Sequence, residues 1–211
     1  MKLKYTPRFK AARQKGFTLV ELAIVVVILG IVAGIIATRF TGSAAASARA
    51  EAIETFAGSA GLLASTVNTQ LGLPATMDSA HPAVDDNGNS WLDVIVDGRD
   101  FIDADFQQGY DRTGAGSLRD AVAVVTEPAV GTPGVYEVEG YEVQIDDAKN
   151  VTDGEATFTF VNVPANVVQA MVETIEPADA YAAGGEANGD LVYGAVAGGL
   201  HPTVDVTVDI R

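Results

Sequence analysis

Lys15-Gly16-Phe17-Thr18-Leu19-Val20-Glu21-Leu22 joins a basic, acid-free start to a long apolar run from Leu19 to Ala37. That run carries a single charge, Glu21, close to its N-terminal edge. A carboxylate near the centre of a bilayer helix costs roughly 2.5–3.5 kcal/mol or more, so it needs a compensating partner. If the chain is cut after Gly16, a new α-amino group appears at Phe17, four residues from Glu21. An amine and a carboxylate meeting between neighbouring copies would cancel two costly charges and select a stack of identical helices in register.

The residues before the run hold Lys2, Lys4, Arg8, Lys10, Arg13 and Lys15 and no acid. They read as a targeting segment and not as part of the fold. Positive charge before an apolar span holds that side in the cytoplasm, which predicts a translocated C-terminal part. A secretory signal would be cut after its apolar core, whereas here the apparent cut precedes it. A plain single-pass anchor is the simpler alternative, but it explains neither Gly16-Phe17 nor Glu21.

At these residues the chain resembles the bacterial type IV pilins and pseudopilins. Gly16-Phe17-Thr18-Leu19-Val20-Glu21 looks like their N-terminal cleavage and methylation motif. The resemblance implies that a prepilin peptidase cuts after Gly16 and methylates the amine of Phe17. It also implies that Glu21 pairs with the N-terminus of an adjacent subunit, and that Gly30 lies where subunit helices loosen when packed in the filament. The proline that many relatives carry falls at Thr38, so this chain lacks it. Within the family, Val27 to Ala33 and on through Arg39-Phe40 is most similar to mannose-sensitive haemagglutinin-type pilins.

The implied function is a structural subunit, polymerised into a type IV pilus of the adhesion or motility kind. The implied partners are further copies in a helical filament, the prepilin peptidase, an inner-membrane assembly platform and, before assembly, the inner membrane itself. The implied location is single-pass in the inner membrane with a periplasmic head, then an extracellular pilus. Two alternatives stay open: a pseudopilin of a type II secretion system, and a ligand-binding minor pilin. The 140 residues after Leu71 favour a pilus subunit over a major pseudopilin, whose heads are usually smaller.

The fold class expected is α+β, a long N-terminal helix packed on an antiparallel β-sheet head, with a membrane and filament half followed by an amphipathic half. Residues 1–16 form the leader and 17–42 the hydrophobic transmembrane and polymerisation helix. Residues 43–71 form the amphipathic half, 72–134 a variable loop region rich in Asp, Asn and Gly, and 135–211 a β-rich head. Residues 17–71 read as one helix about 80 Å long at ~1.5 Å per residue. Gly30 and Gly34 form the Gly-x-x-x-Gly spacing of close helix contacts, although glycine is also simply common in membrane helices. Ile53, Phe56, Ala60, Leu63, Val67 and Leu71 recur at three- and four-residue spacing and predict one buried stripe. Gly72-Leu73-Pro74 ends the helix.

Trp91–Val96 and Ala121–Val125 read as short strands or turns. Alternation predicts strands at Val135–Val138, Tyr141–Ile145, Ala156–Val161, Leu191–Val196 and Thr203–Ile210, with a tight turn at Glu139-Gly140. Residues 164–172 suggest a short helix with Pro164 near its start.

The chain has no cysteine among its 211 residues, so packing, subunit contacts or a metal must hold the head. After Gly16 seven basic residues face 28 acidic ones, a side-chain charge of −21. Phosphate binding needs a basic surface, so no nucleic-acid partner is expected. Asp85, Asn87, Asn89 and Asp93 alternate as calcium ligands do in a turn. The calcium-loop pattern fails at Ser90, where glycine belongs, and at Val96, where the bidentate acid belongs. Calcium site and solvated Asx turn therefore both stay open. Asp97, Asp100, Asp103 and Asp105 read as a solvated acidic face. His81 and His201 each precede proline in loop-like sequence and read as surface residues. No nucleophile elbow, cysteine nucleophile or phosphate loop is present, and the chain is not expected to be an enzyme.

Overall fold

The computed structural model describes residues 19–84, 89–145, 148–152, 154–177, 179–187 and 189–210, with side chains described from Ser43 onward. The chain divides into two compact units, Met1–Gly42 and Ser43–Arg211. Helix α1, Leu19–Leu71, supplies the described backbone of the first unit and the opening element of the second.

The second unit is an α+β fold in which α1 packs on a six-stranded antiparallel sheet. Its strands are β1 (Ala123–Thr126), β2 (Val135–Val138), β3 (Tyr141–Ile145), β4 (Glu155–Pro164), β5 (Leu191–Tyr193) and β6 (Leu200–Asp209), in the order β1-β2-β3-β4-β6-β5. Along α1, Ala46, Ala50, Ile53, Phe56, Ala57, Ala60, Ala64 and Val67 are buried, and Leu71 is half-buried. Phe56 meets Phe158 and Phe160 of β4 edge to face, with ring centroids 5.9 and 6.4 Å apart. Gly61 lets the helix sit close on the sheet: a Cβ there would stand 2.6 Å from Val208 Cγ2.

The β2–β3 connection is two residues long, and both Glu139 (φ +52°) and Gly140 (φ +82°) are left-handed. Paired positive φ values mark the turn whose twist matches a tight hairpin. At the sheet centre, Asn150 donates to the carbonyl of Thr157 and accepts from its N–H, at 2.9 and 2.7 Å. It thereby substitutes for a neighbouring strand. Asp205 of β6 accepts from Thr159 at 2.7 Å and from Lys149 at 3.0 Å, so the polar side chains of this face are mutually bonded.

Two short helices depart from the sequence reading. Trp91–Asp97 is helix α2, not a strand. Leu92, Val94, Ile95 and Val96 are all buried, so the segment is apolar all round and shows no helical period. Its start is set by Asp93, whose carboxylate reaches back to the Ser90 N–H at 2.9 Å, and Gly98 (φ +81°) stops it. Helix α3, Ala104–Thr113, buries only Tyr110 and therefore leaves no apolar stripe to read. Helix α4, Ala165–Ile175, begins directly after Pro164 and buries Val167, Val168, Met171 and Val172.

One expectation is overturned. Among the described residues no helix is long and apolar enough to cross a membrane. The membrane half assigned to the long helix, and the single-pass inner-membrane placement built on it, are corrected accordingly. The helix residues whose side chains are described carry Arg49, Glu51 and Glu54 and exposed Ser43, Ser47, Thr55, Thr69 and Gln70, a face suited to water and not to lipid. The side chains of the apolar run Leu19–Ala37 lie outside the described residues.

Candidate functional site

Gly16 and Phe17 lie outside the described residues. Glu21, Gly30 and Gly34 lie on the helical backbone of α1, Glu21 in its first turn. Helical periodicity places Gly30 and Gly34, four residues apart, on one face.

Of the four oxygen ligands expected around the acidic turn, Asp85 and Asn87 lie outside the described residues. Asn89 and Asp93 are buried and bonded to one another, Asn89 Nδ2 donating to Asp93 Oδ2 at 3.1 Å. Asp93 Oδ2 also accepts from the Ser90 N–H, while Oδ1 accepts from the Gly134 N–H at 2.8 Å and the Tyr136 hydroxyl at 2.7 Å. Asn89 Oδ1 accepts from the Gly131 N–H at 3.2 Å, and its amide donates to the Ala129 carbonyl at 3.0 Å. Both side chains thus spend their oxygens on protein donors. They fasten the start of α2 to residues 129–136.

The network continues outward. Tyr136 Oη lies 3.2 Å from Asp97 Oδ2, and Asp97 pairs with Arg119, which also forks onto Glu127 at 2.7 and 2.9 Å. Burial, followed by the bond to Asp93, pushes the Tyr136 phenol well above its ordinary value. The bonds to Glu127 and Asp97 hold the Arg119 guanidinium charged.

The other acids read as one face have separate tasks. Asp100 lies 3.6 Å from Arg99, Asp103 caps α3 by accepting from the Asp105 N–H at 3.1 Å, and Asp105 sits in the first turn of that helix. Among the described residues no group of three or more His, Cys, Asp or Glu side chains is placed to hold a metal ion.

Both histidines are buried, contrary to the surface reading. His81 Nε2 donates to the Pro74 carbonyl at 3.0 Å, and Nδ1 accepts from the Ala83 N–H at 3.1 Å, with the ring edge-on to Trp91. Burial lowers its pKa. His201 Nδ1 donates to the Gly194 carbonyl at 2.6 Å, and Nε2 accepts from the Tyr181 hydroxyl at 2.9 Å. Tyr181 stacks on Tyr193, which closes the cluster. Nothing in the local sequence signals either environment, because the partners are backbone groups of the loops and, for His201, a tyrosine 20 residues away.

Residues 11–37 match the family described as the prokaryotic N-terminal methylation motif. No curated protein and no solved structure matches the chain. The chain therefore carries a prepilin-type N-terminal processing and methylation motif, consistent with a type-IV-pilin-like family and with a non-catalytic structural protein. The match specifies no subtype, so the likeness to mannose-sensitive haemagglutinin-type pilins does not become an assignment.

Proposed function

We propose that the chain is a structural subunit of a pilin-type filament. It is cleaved after Gly16, methylated on the amine of Phe17, and stacked with its copies through the segment 17–42. The observation that carries this reading is the motif at residues 11–37, with an acid, Glu21, four residues beyond the proposed new terminus.

Two steps follow from that arrangement. Removing the leader takes away its six basic residues and leaves an amine at the end of an apolar helix. In a stack of copies the apolar residues bury one another, and a buried amine needs an anion beside it. Glu21 of a neighbouring copy supplies it. A copy docked out of register would leave both charges buried and unpaired, at a cost of several kcal/mol, so the pair sets register as well as contact. The prepilin peptidase and an assembly platform are the partners this sequence of events requires. The head beyond Ser43 then decorates the filament and determines what its surface presents.

The test is Glu21→Ala in the full chain. Processing at Phe17 continues and filament yield collapses. A normal yield of filaments from the processed variant would remove Glu21 from this role.

A further inference from the structure

A groove of about 440 Å³ runs between α1 on one side and residues 118–121 and 138–139 on the other. Its floor on α1 is Ala48, Ala52, Thr55 and Ser59, at alternating spacings of four and three residues. The same stripe continues to Leu62, which is 69% exposed although it is a large apolar residue on the helix that otherwise anchors the core.

The groove is rimmed by Glu51, Asp120 and Glu139, none of which forms an ion pair or side-chain hydrogen bond among the described residues. Arg49, next to Glu51, is turned to the Tyr141 hydroxyl at 3.3 Å. Glu139 holds its place at φ +52°, a conformation that glycine or asparagine adopts with less strain.

The complementary charge is on the same chain. Of the cations described in the head, Arg99 pairs with Asp111, Arg119 with Asp97 and Glu127, and Lys149 with Asp205. Arg112, exposed in the last turn of α3, makes no ion pair or hydrogen bond with its guanidinium among the described residues. It lies one turn from Gly109, which packs so closely on Leu71 that a Cβ would collide with that side chain. Arg112 therefore sits beside the C-terminal end of α1, while the groove lies along Ala48–Ser59. The separation along the helix, from Ser59 to Leu71, is about 18 Å at ~1.5 Å per residue.

We propose that the groove is the seat of a second copy of this chain, with Arg112 of one copy entering the acidic rim of the next. The two surfaces are different patches at different levels of α1. Such a head-to-tail contact is heterologous, so it can repeat along an open array where its rotation does not close into a ring, unlike a two-fold contact that closes on itself. The inference rests on the filament reading and adds the contact between heads to it. It also answers the charge problem of a head so rich in acid, since each contact neutralises part of a rim that otherwise repels its neighbours.

Charge reversal in the full chain tests it. Arg112→Glu lowers filament yield about tenfold or more, because it sets like charges face to face. Asp120→Arg with Glu139→Arg does the same, and all three together restore assembly. Circular dichroism of each variant checks that the head is folded. A second measurement is independent of stability: since the chain has no cysteine, Arg112→Cys with Glu139→Cys introduces its only thiols. Oxidised filaments of that variant run as a ladder of cross-linked multimers. Equal yield from Arg112→Glu, no restoration in the triple variant, or no ladder overturns the groove contact. If the unaltered chain is processed at Phe17 and yet forms no filament, the filament reading itself fails, and the contact with it.

Discussion

Asp93→Asn is the substitution whose effect the structure defines best. The carboxylate is fully buried and accepts four hydrogen bonds, two at each oxygen, from Ser90, Asn89, Gly134 and Tyr136. An amide keeps one of those oxygens and replaces the other with an NH₂ group, which faces two donors it cannot satisfy. Turned toward Ser90 and Asn89, it breaks the reach-back bond that starts α2. Turned toward Gly134 and Tyr136, it strands the Gly134 N–H, although Tyr136 can re-aim its hydroxyl at Asp97, 3.2 Å away. A buried donor left without its acceptor costs about 1–3 kcal/mol, so one or two such donors predict a loss of about 2–4 kcal/mol once relief of the buried charge is subtracted. The single tryptophan, Trp91, opens α2 and reports the transition by its fluorescence during urea unfolding of the full chain. A double-mutant cycle with Tyr136→Phe should give a coupling of about 1–2 kcal/mol. A loss below about 0.5 kcal/mol, or no coupling, would refute the claim that this carboxylate fastens α2 to β2.

Further outcomes follow from the same geometry. Phe56→Ala removes the ring that α1 sets against Phe158 and Phe160 and should cost about 3–5 kcal/mol in the same unfolding assay. Glu139→Gly relieves a left-handed non-glycine residue and should raise stability by about 1 kcal/mol while lowering filament yield. His81 has a folded-state pKa below its ordinary 6.5, because burial disfavours the charged ring and outweighs the Pro74 bond and the Asp78 charge that favour it. Its contribution to stability is full above 6.5 and falls as pH drops below that value, until the folded-state pKa is passed. Unfolding midpoints measured between pH 7.5 and 5.5 should therefore fall in the unaltered chain. In His81→Gln they should start lower and change less.

The parts of the fold that sequence reading reached are those with a period. The stripe Ile53-Phe56-Ala60-Leu63-Val67 is buried against the sheet, and the strands at 135–138 and 141–145 close on a turn that positive φ values require. β4 extends past both of its expected ends and β6 begins three residues early, at Leu200, because the two pair along Glu155–Pro164, a register set by the tertiary contact. Trp91–Asp97 was open to misreading, since burial on every side erases the difference between a helical and a strand pattern. The network around Asp93 was not legible at all: its partner Tyr136 lies 43 residues away, and no local rule joins them. The alternating acids of that turn looked like a cation's oxygens because a capping carboxylate and a metal ligand use the same residue types. At the N-terminus the position is reversed. The N-terminal methylation motif at residues 11–37 is recognised from the sequence alone, without a described side chain.

Mass spectrometry of the N-terminal peptide from purified filaments is the measurement to make. A peptide beginning at methylated Phe17, abundant in the assembled material, is the predicted result. Filaments built from chains that still begin at Met1, or processed chains that never enter a filament, would contradict the proposed function.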